Sequence, residues 1–598
     1  MKTKKLVSLA LASMMAVSAL AGCNSTGTPE TTAGGKDTEA TTAAPGGDET
    51  TAEVTTEATK EYADDEIIDM TMFAAMAGKE KNANNEIKEI IAKKTGVRVQ
   101  ESWLTGQEAG EAIGSIIASG KLPDLIDGGD GSVQLYESGL LVPWDDYLEK
   151  YPNLKEMYSE EDWNKFRMDD GKIYWANVFG NIYGEDKTTG QNGEAFWVQI
   201  RVLEDAGYPK IETLDDFFKL LEDYAAKNPE MPDGTPVIPY TALCEDWKYF
   251  CVENAPMFLD GYPNDGCVIV NVDDPSNPKV VDYNTTPTAK MYFQKLNEEF
   301  NKGAMDPEFA TQTYDEYIAK LSTGRVLALC DQYWDFAYSI MGPFAQVLEA
   351  KDGSKYRLDE MGCEYVPIGL KAPGVSSQAY YGGPELNASS GCAVTTSCKD
   401  PDAAFRFLSQ LLDQDIHDLR YWGIKDVDYC VDENGLYYRT PEQRENWKSD
   451  EYKAAHSCEY SYCPQWLGTS KDGINAMQPQ EQVSEFQLGM SEPMKKCFAA
   501  YGAETYIDFL GSRDYKPQNP WYPLWSWSNS IGADTDYGTV WKKMAEVKHT
   551  WLPKVIMSKD FENDWTAYQE AYNGVNPQVF LDAAQAEVNR RIEAYGVK

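Results

Sequence analysis

Between positions 66 and 131 strand-like and helix-like patterns alternate, and that order limits the fold more than any other feature of the chain. Residues 66–74 read as a strand. Residues 85–94 set Ile87, Ile90 and Ile91 on one helical face and stop at Gly96. Residues 97–103 alternate like a strand, and 109–119 form a helix halted by Gly120. Residues 122–127 then read as a strand that runs into Gly128-Gly129-Asp130-Gly131. A β-α-β-α-β order requires a partly parallel sheet with helices on its faces, so the fold class is α/β. Such sheets take ligands at the carboxyl ends of their strands. The Gly-Gly-Asp-Gly loop sits at one of those ends, where Asp130, with Asp127 just before it, can accept hydrogen bonds from hydroxyls. It is no phosphate loop, because the Walker spacing and its Lys-Ser/Thr are missing.

What precedes this region is of another kind. Lys2, Lys4 and Lys5 stand before a mostly apolar run from Leu6 to Leu20, which ends in Ala21-Gly22-Cys23. That run suits a secretory signal and is short for a membrane span. The ending resembles a bacterial lipobox, which implies a signal peptide over 1–22 and a diacylglyceryl and palmitate anchor on Cys23. From Asn24 to Lys60 the chain is nearly all Thr, Ala, Gly, Glu, Asp and Pro, with Val54 the one branched aliphatic. Such a stretch cannot bury enough apolar surface to order itself, so 23–65 is expected to be a disordered tether.

The chain carries 54 basic and 96 acidic residues, and loss of the leader's three lysines takes −42 to −45. Nucleic acids and anionic substrates would approach against that field. Beyond Cys23 there are 11 cysteines and no C-x-x-C pair, and His417, His456 and His549 lie far apart. A zinc or Cys–His catalytic centre is therefore not expected. Cys392 with Cys398, and Cys458 with Cys463, are close enough in sequence to bridge; buried free thiols are the alternative.

The blocks 119–126, 138–145, Asp170-Gly171-Lys172-Ile173-Tyr174, 203–209, 213–217, Gly303-Ala304-Met305-Asp306-Pro307, 322–326, 399–404 and 423–429 follow one another in a fixed order. Together they resemble the extracellular sugar-binding proteins of bacterial ABC importers, in particular the large lipoprotein subgroup related to maltose- and alginate-oligosaccharide-binding proteins. The resemblance implies a two-lobed periplasmic-binding-protein-like (type II) fold, with a hinge and an interlobe cleft. Lobe 1 would take 66–176 and 386–465, and lobe 2 would take 177–385 and 466–598. It also implies a monomer on the outer face of the cell membrane that passes an oligosaccharide to permease subunits, with no catalytic residue and no cofactor. Some large relatives carry a calcium loop. The matching stretch, 228–239, offers only Glu230 and Asp233 as carboxylates among several prolines, whereas calcium takes six to eight oxygens. Calcium is disfavoured, and Asp273-Asp274-Pro275-Ser276-Asn277 reads as a turn.

With 16 Trp and 37 Tyr the chain has flat aromatics to spare for the apolar C–H faces of sugar rings. The candidates are those after strands or beside polar residues. Trp334 stands where the resemblance to maltose-binding proteins implies a stacking ring. Trp247 follows a strand at 238–243, and Trp103 ends the second strand. Trp175 and Tyr381 mark the expected hinge crossings, Trp466 is a further candidate, and Trp144 and Trp163 read as structural. A long chain with many aromatics leans towards neutral, plant-type oligosaccharides. Two other functions fit parts of the pattern. A surface polysaccharide-degrading enzyme would need a carboxylate pair about 5–9.5 Å apart, and a binder of peptide or metal ions would need a different residue signature.

Overall fold

A computed structural model of the chain describes residues 61–595, apart from 77, 79–80, 106–108, 377, 384–385, 511–518 and 533. The signal peptide, the tether as far as residue 60 and Cys23 lie outside the described residues. Eight strands build two four-stranded sheets: β1 (Ile68–Ala74), β2 (Val97–Trp103), β3 (Leu125–Asp127), β4 (Glu194–Gln199), β5 (Ile238–Thr241), β6 (Val326–Gln332), β7 (Tyr365–Ile368) and β8 (Cys392–Val394). The sheet orders are β8-β3-β1-β2 and β7-β4-β6-β5.

The first sheet follows from local signals. Helix α1 (Glu86–Thr95) is capped by Asn85, whose side chain accepts the Lys88 N–H at 3.1 Å, and it ends at Gly96 with φ +71°. Ile87 and Ile91 are fully buried against the sheet. The chain then returns as β2, parallel to β1 from Ile68↔Val97 to Ala74↔Trp103. Helix α2 (Ala109–Ser119) carries it to β3, which joins β1 from Met72↔Leu125. β3 is shorter than the sequence pattern suggests. Pro123 has no N–H for a ladder, and the Asp124 carboxylate instead accepts the Thr71 N–H at 2.8 Å. β8 pairs antiparallel with β3 from far along the chain.

In the second sheet β4 lies antiparallel to both β6 and β7, while β5 and β6 run parallel. Every residue of β4 is buried, and so is β6 up to its last residue, as suits strands covered on both faces.

Each sheet carries its own apolar core. The first gathers Met70, Ile91, Val99, Trp144, Trp163 and Phe405 and reaches as far as Trp466 and Met477. The second gathers Trp197, Phe217, Tyr240, Leu327 and Tyr365, with Met544, Trp565 and Phe580 from the C-terminal helices. The chain passes between the cores after Val178, after Tyr380 and after Met477. Hydrogen bonds tie the crossings together: Gln191 Nε2 donates to Tyr380 O at 2.8 Å, Tyr381 OH to Asp186 Oδ2 at 2.9 Å, and Thr189 Oγ1 to Gln480 O. Gly391 lets two of these segments touch, since a Cβ there would lie 2.2 Å from Ala176 O. Two α/β lobes joined by such bonded crossings have the construction of a hinge.

The eleven cysteines among the described residues are free thiols. Neither of the sequence-close pairs forms a bridge. The Cys392 thiol instead lies in hydrogen-bonding contact with Cys463, and burial helps to raise its pKa well above the usual thiol range.

Candidate ligand cleft

The carboxyl ends of β5 and β6 supply one wall. A short turn, Asp246–Tyr249, follows β5, with Asp246 at φ +48°. It presents Trp247, which is 47% exposed. Helix α3 (Tyr333–Phe344) begins directly after β6 and carries Trp334, half-buried, in its first turn. The two indoles stack with planes 11° apart and centroids at 5.9 Å, and Phe250 backs both at 6.0 and 6.3 Å. Lys248 Nζ stands 4.5 Å from the Trp247 ring and 4.6 Å from that of Tyr314. One helical turn beyond Trp334, Tyr338 is 55% exposed and donates to Asn192 Oδ1 at 3.2 Å. Met341 continues the exposed stripe on the same face of α3.

The opposite wall belongs to the first lobe. The turn Gly129–Gly131 follows β3 and packs against α2 so closely that a Cβ at Gly131 would lie 2.6 Å from Ile113 Cγ1. Asp130 points out from this turn. It is reached by solvent yet surrounded by protein: burial raises its pKa, and the charge of Asp246 on the other lobe raises it further. Tyr338 is held in the same way, pushed up to about 12 by burial and by Glu459 of the first lobe. In both cases the second influence is a charge from the other lobe, Asp246 on Asp130 and Glu459 on Tyr338. Nearby, Trp103 covers Gly78 and leans on Tyr462 at 5.4 Å. Tyr462 in turn meets the half-exposed Phe179 edge-on at 5.6 Å.

The residues singled out from the sequence therefore separate into two groups. Trp334 and Trp247 come together on one wall, with Asp130 and Trp103 on the other. Asp127 is 5% exposed, and its Oδ1 accepts the Gly129 N–H at 3.0 Å. Burial pushes its pKa up to about 6, and it braces the loop from below instead of reaching the cleft. Trp175 and Trp466 are each 2% exposed and belong to the first core, a correction to their expected place. The Trp175 indole faces inward because its N–H is used by Ala388 O at 2.9 Å, while Trp466 packs on Tyr183 at 5.5 Å. Tyr381 lies on a crossing, its hydroxyl taken by Asp186. Sequence reasoning missed Tyr338, Tyr462, Phe179 and Asn192. Only Tyr338 had a usable signal, its i, i+4 spacing from Trp334.

Two places in the structure bear on cation binding. At 228–239, Lys351 Nζ bonds Glu230 Oε2 at 2.9 Å and the Lys351 N–H bonds Pro232 O at 3.0 Å. Asp233 Oδ1 is occupied by the Thr235 N–H at 2.9 Å and its hydroxyl at 2.7 Å. An ammonium of the chain itself thus serves this loop. Behind Trp334, Asp331, Asp335 and Cys251 form a buried cluster. Burial pushes Asp331 up to about 6 against three hydrogen bonds, and burial plus the Asp331 charge push Asp335 up to about 8.

A profile of the bacterial extracellular solute-binding protein family matches residues 86–418. Lipoprotein LipO of Bacillus subtilis (strain 168) is 24% identical over 143 residues, 23% of this chain and 26% of that one, so the match spans about a quarter of the curated relative. Among solved structures, the S. pneumoniae ABC-transporter substrate binding protein FusA in complex with kestose superposes with a TM-score of 0.58 at 16% identity, over 88% of this chain and 99% of that one. An HMO binding ABC-transporter associated solute binding protein from Bifidobacterium longum infantis gives 0.56 at 16%, over 89% and 100%. The alginate-binding protein AlgQ2 without calcium ion gives 0.56 at 15%, over 89% and 100%. At these identities the likeness shows the shared two-domain fold.

Proposed function

The chain belongs to the bacterial extracellular solute-binding protein family, and from that premise we propose that it captures a neutral oligosaccharide between its lobes and delivers it to the permease of an ABC importer. The observation that carries this reading is the parallel Trp247–Trp334 pair at the ends of β5 and β6, with Trp247 half-exposed and Trp334 half-buried. Sugar rings offer apolar C–H faces to such a platform and hydroxyls to acceptors such as Asp130 and Asn192. The acids Asp130, Asp246 and Glu459 disfavour an anionic sugar. Arg420, which could otherwise answer a uronate, is fully buried and donates to the carbonyls of Leu411, Glu459, Tyr460 and Pro464. Relatives of the same fold that bind kestose, HMO and alginate support a sugar as the class of ligand. The family and these relatives are binding proteins, and capture needs no catalytic group.

The surface location rests on the family, on the lipobox-like Cys23 and on a relative that is itself a lipoprotein. Among the described residues no helix is long and apolar enough to cross a membrane. In this reading lipid on Cys23 holds the chain, the Thr- and Glu-rich tether gives the lobes reach, and the protein acts as a monomer.

Calorimetry against a panel of neutral oligosaccharides, uronate oligomers and peptides tests the reading. One neutral sugar should bind at one site per chain with micromolar or better affinity, about −8 kcal/mol. Binding of peptides alone, or release of reducing sugar from polysaccharide, would overturn it.

A further inference from the structure

We infer that the cluster behind Trp334 is a binding site for a thiophilic divalent cation of the zinc type, held by Cys251 Sγ and the carboxylates of Asp331 and Asp335. The three donor atoms come from three elements: the short helix Phe250–Glu253, the end of β6 and the first turn of α3. They all lie within 4.8 Å of one another. Cys251 and Asp331 are fully buried, and Asp335 is 3% exposed. Cys251 Sγ is 3.1 Å from Asp331 Oδ1. Two donors on one tetrahedral zinc ion, with bonds of about 2.0–2.3 Å, stand roughly 3.5 Å apart, so the Cys251–Asp331 pair would open slightly and Asp335 would close on it from within 4.8 Å.

A second observation points to a missing ligand. Asp335 Oδ2 is buried and has no hydrogen-bond donor among the described residues. A carboxyl oxygen shut away from water without a hydrogen-bond partner is costly, and a cation bound in place of the proton removes that cost. Asp331 is held ready in the manner of an oriented metal ligand: Tyr317 OH donates to its Oδ2 at 2.7 Å, and the Gln332 N–H to its Oδ1 at 2.7 Å. A sulfur donor beside two carboxylates selects zinc-like ions over calcium or magnesium, which take oxygen alone. Three protein donors leave a fourth position for water. Coordination would form bonds from the Cys251 thiolate and the Asp335 carboxylate to the ion, and send the Cys251 S–H proton and the proton that Asp335 holds at neutral pH to solvent. The sequence gives no sign of this site, because its members are far apart and none is a histidine.

The test uses the full chain, reduced and stripped with chelator, then titrated with zinc chloride by calorimetry. A parallel cobalt(II) titration is followed through the thiolate-to-cobalt charge-transfer band. The expected result is one zinc per chain and a cobalt band that Cys251→Ser abolishes. Asp335→Asn should weaken zinc binding at least about tenfold, the scale on which even outer ligands act. Absence of saturable zinc binding to the wild-type chain, or a cobalt spectrum without a thiolate band, would overturn the inference. So would zinc binding that both variants leave unchanged. If one variant fails to fold the other still assigns the site, and a wild-type chain without saturable zinc binding overturns the inference by itself.

Discussion

Trp247 and Trp334 stack with ring planes 11° apart, although the first follows β5 and the second follows β6. The pairing is a product of topology. β5 and β6 are parallel neighbours, paired from Ile238↔Val326 to Thr241↔Leu329, so their carboxyl ends open on the same edge of the sheet. Side chains that follow such ends are brought side by side, where α/β sheets bind ligands.

Across the cleft, Asp130 carries a pKa raised by burial and by Asp246. The carboxylate is the acceptor form, so acidification through this raised pKa removes an acceptor from the sugar. Affinity should therefore fall at a higher pH than an ordinary aspartate would give, and Asp246→Asn should move that fall to lower pH. Asp130→Asn should weaken binding at neutral pH by about tenfold, the worth of one charge-assisted hydrogen bond. A calorimetric series over pH checks both. An affinity independent of pH and of either substitution would remove Asp130 from the site.

Glu481, on the third crossing and 4% exposed, is pushed up to about 8 by burial, with Asp186 adding to it and the Gly468 N–H opposing. A carboxyl whose folded pKa lies above its unfolded one binds its proton more tightly when folded. Its stabilising contribution is complete below the unfolded value near 4.5 and is lost as pH rises towards about 8. Within that window the loss approaches about 1.4 kcal/mol per pH unit. Glu101 and Glu364, each pushed up to about 7 by burial, act in the same direction. The melting temperature should thus be higher near pH 5 than near pH 8. Glu481→Gln, which keeps an acceptor for the Gly468 N–H, should recover part of the difference at the alkaline end and change little at the acid end.

Much of the first sheet was readable from the sequence, because β1, α1, β2 and α2 are set by period, a cap and two stop glycines, all within one stretch. The cleft was less so. Whether Trp175 faces ligand or core depends on Ala388, more than two hundred residues away, which takes its indole N–H. Trp466 falls inside the first core for the same kind of reason, since the residues that cover it come from another crossing. The loop at 228–239 displays its two carboxylates in the sequence, but nothing local reveals that Lys351 enters it. Tyr462 and Phe179 acquire meaning only when folding sets them beside Trp103.

That lysine leads to a prediction about calcium. Calcium added to stripped protein should change neither the melting temperature nor sugar affinity, because the loop's carboxylates are already bonded to Lys351 and Thr235. Lys351→Ala should cost no more than about 1 kcal/mol, as for other exposed ion pairs. A rise of several degrees on adding calcium would show an ion site that this arrangement does not contain.

The anchor can be tested apart from the fold. Cys23→Ala should leave the protein uncleaved or released into the medium but without lipid, measured by fractionation and by labelled fatty-acid incorporation. Full retention of the variant in membranes would reject the lipobox reading.

The most direct measurement of the central claim is the affinity and melting temperature of Trp334→Ala, taken on the same preparation. If Trp334 is a stacking platform, its loss removes about 2 kcal/mol of binding, and affinity should fall roughly thirtyfold with only a modest change in melting temperature. If the indole serves the core instead, stability should fall by roughly 3–5 kcal/mol while the folded fraction keeps its affinity. A thirtyfold loss of affinity in a stable variant is the result the cleft predicts; unchanged affinity in a destabilised one would contradict it.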